Sequence, residues 1–186
     1  MSQLNQTQRE FLLKVARAAV EAAATSAAPP EVETLASAAG LSLDGALTEN
    51  RGAFVTLTRH GHLRGCIGFI EGYKPLVQAV AENGRSAAVS DPRFPPLTPG
   101  ELEDLNIEVS ALTALVAVKS YEDIEVGKHG ILLEKNGRQS VFLPQVATEQ
   151  GWDLATTLTH LALKAGLDPD GWREGADFRV FKAEVF

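Results

Sequence analysis

The chain contains two adjacent strand-like stretches, GAFVTLTR (residues 52–59) and HLRGCIGFI (residues 62–70). Both are rich in β-branched and aromatic residues, which suit a pleated sheet. His60 and Gly61 stand between them, and a two-residue connection joins neighbouring antiparallel strands. The sequence therefore predicts a β-hairpin whose second strand carries Cys66.

A second hairpin is predicted from strands over residues 130–134 and 138–143. Asn136 and Gly137 lie between them and form the dipeptide preferred in a tight type I′ turn. Residues 105–113 alternate apolar and polar side chains over their first half, as expected for a half-buried strand. Residues 177–186 indicate a closing strand, because aromatic and β-branched residues recur there.

Helices are predicted between these strands. Apolar residues recur at helical spacing over residues 4–22, and shorter helices are predicted over residues 31–39, 75–90, 101–104 and 152–165. Hairpins and helices without a sustained strand-helix-strand alternation indicate an α+β fold and not a doubly wound parallel sheet. We expect mostly antiparallel sheets on which the helices over residues 4–22 and 152–165 are packed.

The composition is typical of a globular protein. The chain has 186 residues, 45% hydrophobic and 22% charged, which fits one domain or two small lobes that share a core. Its 17 basic and 24 acidic residues give a net charge of −7, so nucleic-acid binding is not expected, although a local basic pocket remains compatible with that charge. No apolar run approaches the roughly 20 residues of a membrane span and no signal peptide is apparent, so a cytoplasmic location is expected.

The strand around Cys66 carries the strongest chemical signal. Side chains alternate along a strand, so His62, Arg64 and Cys66 are predicted to share one face. A neighbouring cation stabilises a thiolate, which is the nucleophilic form of cysteine. Gly65 and Gly68 permit a bulge or the close approach of a ligand or another backbone. The sequence therefore indicates Cys66, Arg64 and His62 as catalytic candidates and the two glycines as binding candidates.

A structural interpretation of the same residues stays open. A free cysteine is among the most buried residue types and commonly packs as a small hydrophobic side chain. Arg64 is equally compatible with a solvated strand position, and His62 with a position that only flanks the turn. If the thiol is functional, we expect Cys66 to border a cleft, with Arg64 or Arg93 lowering its pKa.

A proline-rich connector, DPRFPPLTPG (residues 91–100), supplies two further binding candidates. Asp91 can cap a turn, and Arg93 can bind a carboxylate or phosphate through two parallel hydrogen bonds. The alternative is an ion pair between the two that fixes the connector. Glu108 and Ser110 share a face of the strand over residues 105–113 and become binding candidates if that face carries Cys66.

Several classes of site receive no support from the sequence. A single cysteine cannot form an internal disulfide or hold an iron–sulfur cluster alone. The chain has no closely spaced pair of histidines or cysteines typical of a metal site, and no glycine-rich nucleotide-binding motif or hydrolase nucleophile elbow. The sequence therefore identifies no metal site, and we expect no tightly held cofactor in the isolated protein; the small-molecule substrate, the oligomeric state and any bound metal stay open.

Taken together, the motifs resemble those of the AMMECR family. They are GAFVTL (52–57), LRGCIG (63–68), AA (87–88), DPRFPPL (91–97), EVS (108–110), GKHG (127–130), LPQV (143–146) and KAGL (164–167). They follow one another over almost the whole chain, which makes the resemblance far more specific than a single glycine motif.

The resemblance implies a compact α+β domain over residues 1–186, with two unequal lobes around a cleft. On this basis residues 1–50 form a helical part and residues 51–186 a body of sheets and helices with the signature motifs. The family name brings no established reaction with it. In microbes the resemblance implies the AmmeMemoRadiSam system, which associates the chain with Memo-like and radical SAM proteins as partners, physically or in one pathway.

Two functional hypotheses from different classes follow. In the first, the protein is an enzyme or enzyme subunit in which Cys66 serves as nucleophile, as thiol acid or base, or as a single metal ligand. In the second, it is a non-catalytic adaptor, and residues 63–68 with residues 91–97 form its contact surface. A catalytic thiol is expected beside a pocket, whereas an adaptor is expected to expose an apolar patch with a polar rim.

Overall fold

The structure is a computed structural model that describes residues 3–186, and it divides into two compact units. The first unit extends to Leu112 and includes Glu184–Phe186, and the second is Thr113–Ala183. The division falls after Leu112. Each unit has its own cluster of buried hydrophobic residues.

The first unit combines three helices with one four-stranded sheet. Its elements are α1 (Gln6–Ala24), α2 (Val32–Ala38), β1 (Ala53–Arg59), β2 (His62–Phe69), α3 (Leu76–Val89) and β3 (Leu105–Leu112), with 3₁₀ turns at Gly45–Leu47 and Pro99–Asp104. A last strand, β8 (Ala183–Val185), completes this sheet.

The second unit contains two helices and four strands. Its elements are β4 (Val116–Ala117), a 3₁₀ turn at Tyr121–Asp123, β5 (Gly130–Lys135), β6 (Arg138–Phe142), α4 (Pro144–Gln150), α5 (Leu154–Lys164) and β7 (Asp177–Phe181). The sheet orders are β2-β1-β3-β8 and β4-β7-β5-β6.

One face of the first sheet forms the core of its unit. Val55, Leu57 and Val109 are fully buried in the cluster that also contains the apolar sides of α1 and α3. The two helices approach closely because Gly84 of α3 has no side chain, and a Cβ there would lie 3.1 Å from the Ala16 carbonyl oxygen. The opposite face of this sheet is therefore the one available for polar side chains.

The second unit is built on the other hairpin. Ile131 and Leu133 of β5 are buried with Leu158 and Leu161 of α5 and with Trp172. Aliphatic side chains from a strand and a helix pack together here, and burial of their apolar surface stabilises this unit.

Both predicted hairpins and the α+β class are confirmed. β1 and β2 are antiparallel around His60 and Gly61, and β5 and β6 are antiparallel around Asn136 and Gly137. All four turn residues have positive φ angles, which is the conformation of a type I′ turn. The helix at residues 6–24 contacts β3, and the helix at residues 154–164 contacts β6. Within residues 3–186 the structure shows no helix long and apolar enough to cross a membrane.

Two details of the sequence prediction are corrected. The predicted closing strand over residues 177–186 is interrupted at Lys182, and its two parts, β7 and β8, belong to different sheets. Thr113 fixes the interruption, because its hydroxyl accepts a hydrogen bond from Lys182 N while its own N–H donates to Lys182 O. The sequence prediction also lacked α4, which begins with Pro144 at its first turn, a favourable position for proline.

Candidate functional site

The hairpin that carries Cys66 contains a β-bulge. Leu57 pairs with Gly65 and Thr58 pairs with Leu63, so Arg64 has no partner on β1. Such an extra residue reverses the alternation of side chains beyond it. The glycines of the motif thus accompany a bulge, which is one of the two roles predicted for them.

The bulge changes which residues share a face with Cys66. Cys66 pairs with Thr56, whereas His62 pairs with Arg59. Cross-strand partners lie on the same face, and residues 56 and 59 point to opposite faces of β1. His62 therefore lies on the face opposite Cys66, and the prediction that the two share one face is wrong because the strand alternation is broken at Arg64.

The polar face of the first sheet carries a row of three functional groups. Cys66 on β2 pairs with Thr56 on β1, which in turn pairs with Glu108 on β3. The thiol is half-buried, and its Sγ lies 3.3 Å from the Thr56 Oγ1. A thiol, a hydroxyl and a carboxylate therefore occupy neighbouring positions across three strands.

The next row on the same face joins Gly68, Phe54 and Ser110. A Cβ on Gly68 would lie 2.4 Å from the Phe54 ring, so glycine is required for the ring to cover this position. Ser110 is buried, and its Oγ has no hydrogen-bond partner among the described residues. Glu108 and Ser110 thus satisfy the condition set for them by the sequence, because they face the same way as Cys66.

Asp91 and Arg93 hold the backbone of Cys66. The Asp91 carboxylate accepts hydrogen bonds from Cys66 N at 2.9 Å and from Arg93 N, Nε and Nη2 at 3.1, 2.9 and 2.7 Å. Arg93 Nη2 also donates to the Cys66 carbonyl oxygen at 3.2 Å. The connector over residues 91–97 therefore satisfies both backbone groups of Cys66 that β1 does not bind.

This arrangement changes the protonation behaviour of Asp91. The Arg93 guanidinium, together with the N–H groups of Cys66 and Arg93, holds the pKa of the Asp91 carboxyl far below its usual range, although burial opposes the effect. Asp91 is 4% exposed, so it is a buried carboxylate that stays ionised because it is paired and hydrogen-bonded. The ion pair considered in the sequence analysis is thus present in the structure.

Arg64 is bound to a different carboxylate. Its Nε donates to Glu101 Oε1 at 2.8 Å and its Nη2 to Glu101 Oε2 at 3.2 Å. These bonds from Arg64, with those from Thr98, lower the Glu101 pKa from 4.5 to about 2. Among the described residues, neither Arg64 nor Arg93 hydrogen-bonds to Cys66 Sγ, whose partner is Thr56.

Gly65 brings the end of α3 against this strand. A Cβ on Gly65 would lie 2.2 Å from the Ala87 carbonyl oxygen, so any side chain there would force β2 and α3 apart. As for metal binding, no group of three or more His, Cys, Asp or Glu residues is placed to hold an ion within residues 3–186. Cys66 remains a single potential ligand.

Two residues of this region were missed in the sequence analysis. Thr56 carries no signal of its own, because a threonine in a strand is ordinary. Glu101 had a readable signal, since Thr98 and Glu101 form a capping box at the start of the 3₁₀ turn Pro99–Asp104, and this pattern can be recognised from its spacing. Its use as the partner of Arg64 depends on tertiary structure.

Comparison with known proteins supports the fold and the family. Residues 13–186 match the family model described as AMMECR1. The protein MK0488 of Methanopyrus kandleri is 49% identical over 150 residues, which cover 75% of this chain and 72% of that protein. A protein of Methanosarcina acetivorans is 39% identical over 188 residues, covering 98% and 92%. The crystal structure of the uncharacterised protein PH0010 from Pyrococcus horikoshii superimposes with a TM-score of 0.81 at 37% identity, covering 95% of this chain and 89% of that one.

Proposed function

The chain belongs to the AMMECR1 family, and within that family we propose that it is an enzyme, or an enzyme subunit, whose nucleophile is the Cys66 thiol. The observation that supports this proposal is the row of Cys66, Thr56 and Glu108 on the polar face of the first sheet. A weak nucleophile needs an adjacent group that takes its proton, and this row offers both a hydroxyl and a carboxylate for that task.

The row provides a path for the thiol proton. The distance of 3.3 Å between Cys66 Sγ and Thr56 Oγ1 is a hydrogen-bond distance for sulfur. Directly opposed residues on neighbouring strands have Cβ atoms about 4.5–5.5 Å apart, so we propose that the Glu108 carboxylate accepts a hydrogen bond from the Thr56 hydroxyl. Thr56 can therefore pass a proton from sulfur to carboxylate.

The proposed reaction is hydrolysis through a covalent intermediate. Cys66 Sγ forms a bond to an electrophilic carbon, and the leaving group departs with its bonding electron pair. The thiol proton moves through Thr56 to Glu108 and then to the leaving group. Water next attacks the same carbon, the sulfur–carbon bond breaks, and one proton of that water restores the thiol.

The surrounding ion pairs position the nucleophile. Asp91 and Arg93 fix the backbone N–H and carbonyl of Cys66, so the thiol is presented by a strand whose edge cannot shift freely. Arg64 is held by Glu101 beside the bulge. Their proposed role is to keep Sγ within reach of Thr56, because catalytic groups need fixed geometry.

Alkylation of Cys66 by iodoacetamide tests the proposal. If Glu108 takes the thiol proton through Thr56, then Glu108→Gln and Thr56→Val each slow alkylation at neutral pH by about tenfold or more. If Glu108 is only a nearby negative charge, Glu108→Gln instead speeds alkylation, because removing that charge favours the thiolate. Glu103→Gln, an exposed carboxylate change outside the row, is the matched control.

The proposal has clear contrary outcomes. If native Cys66 reacts only after unfolding, the thiol is structural and the nucleophile hypothesis is wrong. Faster alkylation of the Glu108→Gln variant would remove Glu108 from the proton path while keeping Cys66 as a reactive thiol. Circular dichroism of each variant ensures that rates are compared between folded proteins.

A second candidate function is binding of a protein partner. Leu63 of β2 is 43% exposed, and Pro92, Pro95 and Pro96 of the adjoining connector are exposed as well. This connector is already held by Asp91 and Arg93, so it would lose little entropy on binding. The proposed partners are Memo-like and radical SAM proteins, and loss of their co-elution in a Leu63→Asp variant, with the wild type retained, is the expected result. If neither associated protein co-elutes with the wild-type chain, direct partnership is excluded.

A further inference from the structure

Ser110 carries a buried hydroxyl that nothing in the described structure binds. The residue is 1% exposed and its Oγ has no hydrogen-bond partner. Arg9 and Arg59 also have an unpartnered Nε, but their guanidinium groups form other hydrogen bonds. In Ser110 the unpartnered hydroxyl is the whole polar side chain, and native proteins leave few such groups without a role.

The position of Ser110 relates it to the Cys66 site. Along the polar face of β3, Asn106 and Glu108 are exposed, whereas Ser110 and Leu112 are buried. Ser110 is therefore the first buried position on the face that carries the proposed nucleophile.

Sheet geometry fixes the separation of the two residues. Cys66 and Ser110 lie two strands apart and one row apart on the same face. With strands about 4.8 Å apart and a rise of about 3.4 Å per residue, their Cβ atoms are separated by about 12 Å. After allowance for both side chains and a hydrogen bond, a molecule that joins Sγ to Oγ has a length of about 6 to 10 Å.

We propose that Ser110 Oγ binds the distal polar end of an elongated small-molecule substrate whose electrophilic carbon lies at Cys66 Sγ. The inference rests on the proposed function of Cys66 and adds the length of the substrate and the chemistry of its far end. A serine hydroxyl both donates and accepts, and the nearest charged residue on this face of β3 is Glu108. Because the Glu108 carboxylate would repel an anion, the distal group of the substrate is a neutral amide or hydroxyl and not a carboxylate or phosphate.

Three alkylating reagents test this assignment. The first is iodoacetamide, the second an N-alkyl iodoacetamide whose chain of about 8 Å ends in a primary amide, and the third an equally long reagent that ends in methyl. In the wild type the amide-ended reagent is expected to alkylate Cys66 about tenfold faster than the methyl-ended one, as expected for one buried hydrogen bond. Ser110→Ala is expected to abolish that preference.

The variants separate the two proposals. Ser110→Thr keeps the hydroxyl and restores the preference, while Ser90→Ala, an exposed serine change at the end of α3, leaves it as in the wild type. If iodoacetamide reacts with folded wild type but Ser110→Ala keeps the preference between the long reagents, Ser110 does not bind the substrate, although Cys66 remains a nucleophile. If even iodoacetamide fails to react, the proposed function and this inference are both overturned.

Discussion

The two tight hairpins of the molecule share a kind of turn and differ in their strands. His60 and Gly61 in the first hairpin and Asn136 and Gly137 in the second have positive φ angles. β5 and β6 pair over their whole length without a shift of register, whereas β1 and β2 shift at the bulge. The same turn chemistry therefore supports one regular and one irregular hairpin.

The irregular hairpin carries the candidate site, and the regular one carries a core. Cys66 shares a row with Thr56 and Glu108, and because of the bulge at Arg64, His62 lies on the opposite face of the sheet. In the regular hairpin, unbroken alternation keeps alternate side chains of β5 beneath α5. The comparison shows that an interruption of a strand can serve to aim chemical groups, as bulges near active sites do.

The largest expected effect comes from adding one methyl group to a glycine of each hairpin. Gly65→Ala places a Cβ 2.2 Å from the Ala87 backbone oxygen, whereas Gly137→Ala meets nothing within 4 Å but has a φ of +73°. We expect the free energy of unfolding to fall by about 3 kcal/mol or more for Gly65→Ala and by about 1 kcal/mol for Gly137→Ala. Urea denaturation measures both, and equal losses would contradict the difference between the hairpins.

The connector that holds the irregular hairpin gives the next effect. Asp91→Asn removes the charge that binds Arg93 and weakens the bond to Cys66 N, so the free energy of unfolding is expected to fall by about 2 kcal/mol. Asp104→Asn is the control, because the ion pairs of Asp104 with Arg59 and His60 are much more exposed than Asp91, and their loss should cost less than about 1 kcal/mol. Equivalent losses would mean that the connector does not stabilise β2.

Acid should weaken the first unit through Glu101. Its pKa is lowered from 4.5 to about 2 in the folded protein, so folding favours the ionised carboxylate. The resulting stabilisation, about 3 kcal/mol, is complete above pH 4.5 and is lost as the pH falls towards 2. Asp91 is shifted in the same direction. Urea titrations at pH 7, 4.5 and 3 should show a smaller acid loss for Glu101→Gln than for wild type, and parallel losses would exclude this origin.

The smallest expected effect concerns His62. Because the bulge puts His62 on the face opposite Cys66, His62→Ala should change the rate of Cys66 alkylation by less than about twofold at any pH between 6 and 9. Thr56→Val provides the contrasting variant on the correct face. A large change in the His62→Ala protein would show that the imidazole acts on the thiol despite the register.

Local sequence signals were sufficient to predict both tight turns and the α+β class. Asn136 and Gly137 marked a turn because few other residues adopt positive φ, and the α+β class followed from hairpins without regular alternation with helices. For Asp91 and Arg93 the sequence was compatible with two interpretations, a ligand site and an internal ion pair. Only the position of the connector against β2 shows that they bind each other and the Cys66 backbone.

The irregular features required knowledge of strand pairing. A glycine such as Gly65 is compatible with a bulge or with close packing, and in the structure it lies next to the bulge and also packs against α3. A single sequence does not reveal which residue of a bulged strand has no partner on the neighbouring strand. The assignment of His62 failed for that reason. Glu108 and Ser110 were usable candidates only after the register placed them on the face of Cys66, because any half-exposed strand has polar residues at alternate positions.

The pair Asp91 and Arg93 has a consequence for self-association. β2 is at the edge of its sheet, and an edge strand offers its free N–H and carbonyl groups as a template for aggregation with another chain. At Cys66 both groups are already occupied by the pair. A foreign strand could add there only after displacing Asp91 and Arg93, so the contact that holds the Cys66 backbone also blocks strand addition at this point of the edge.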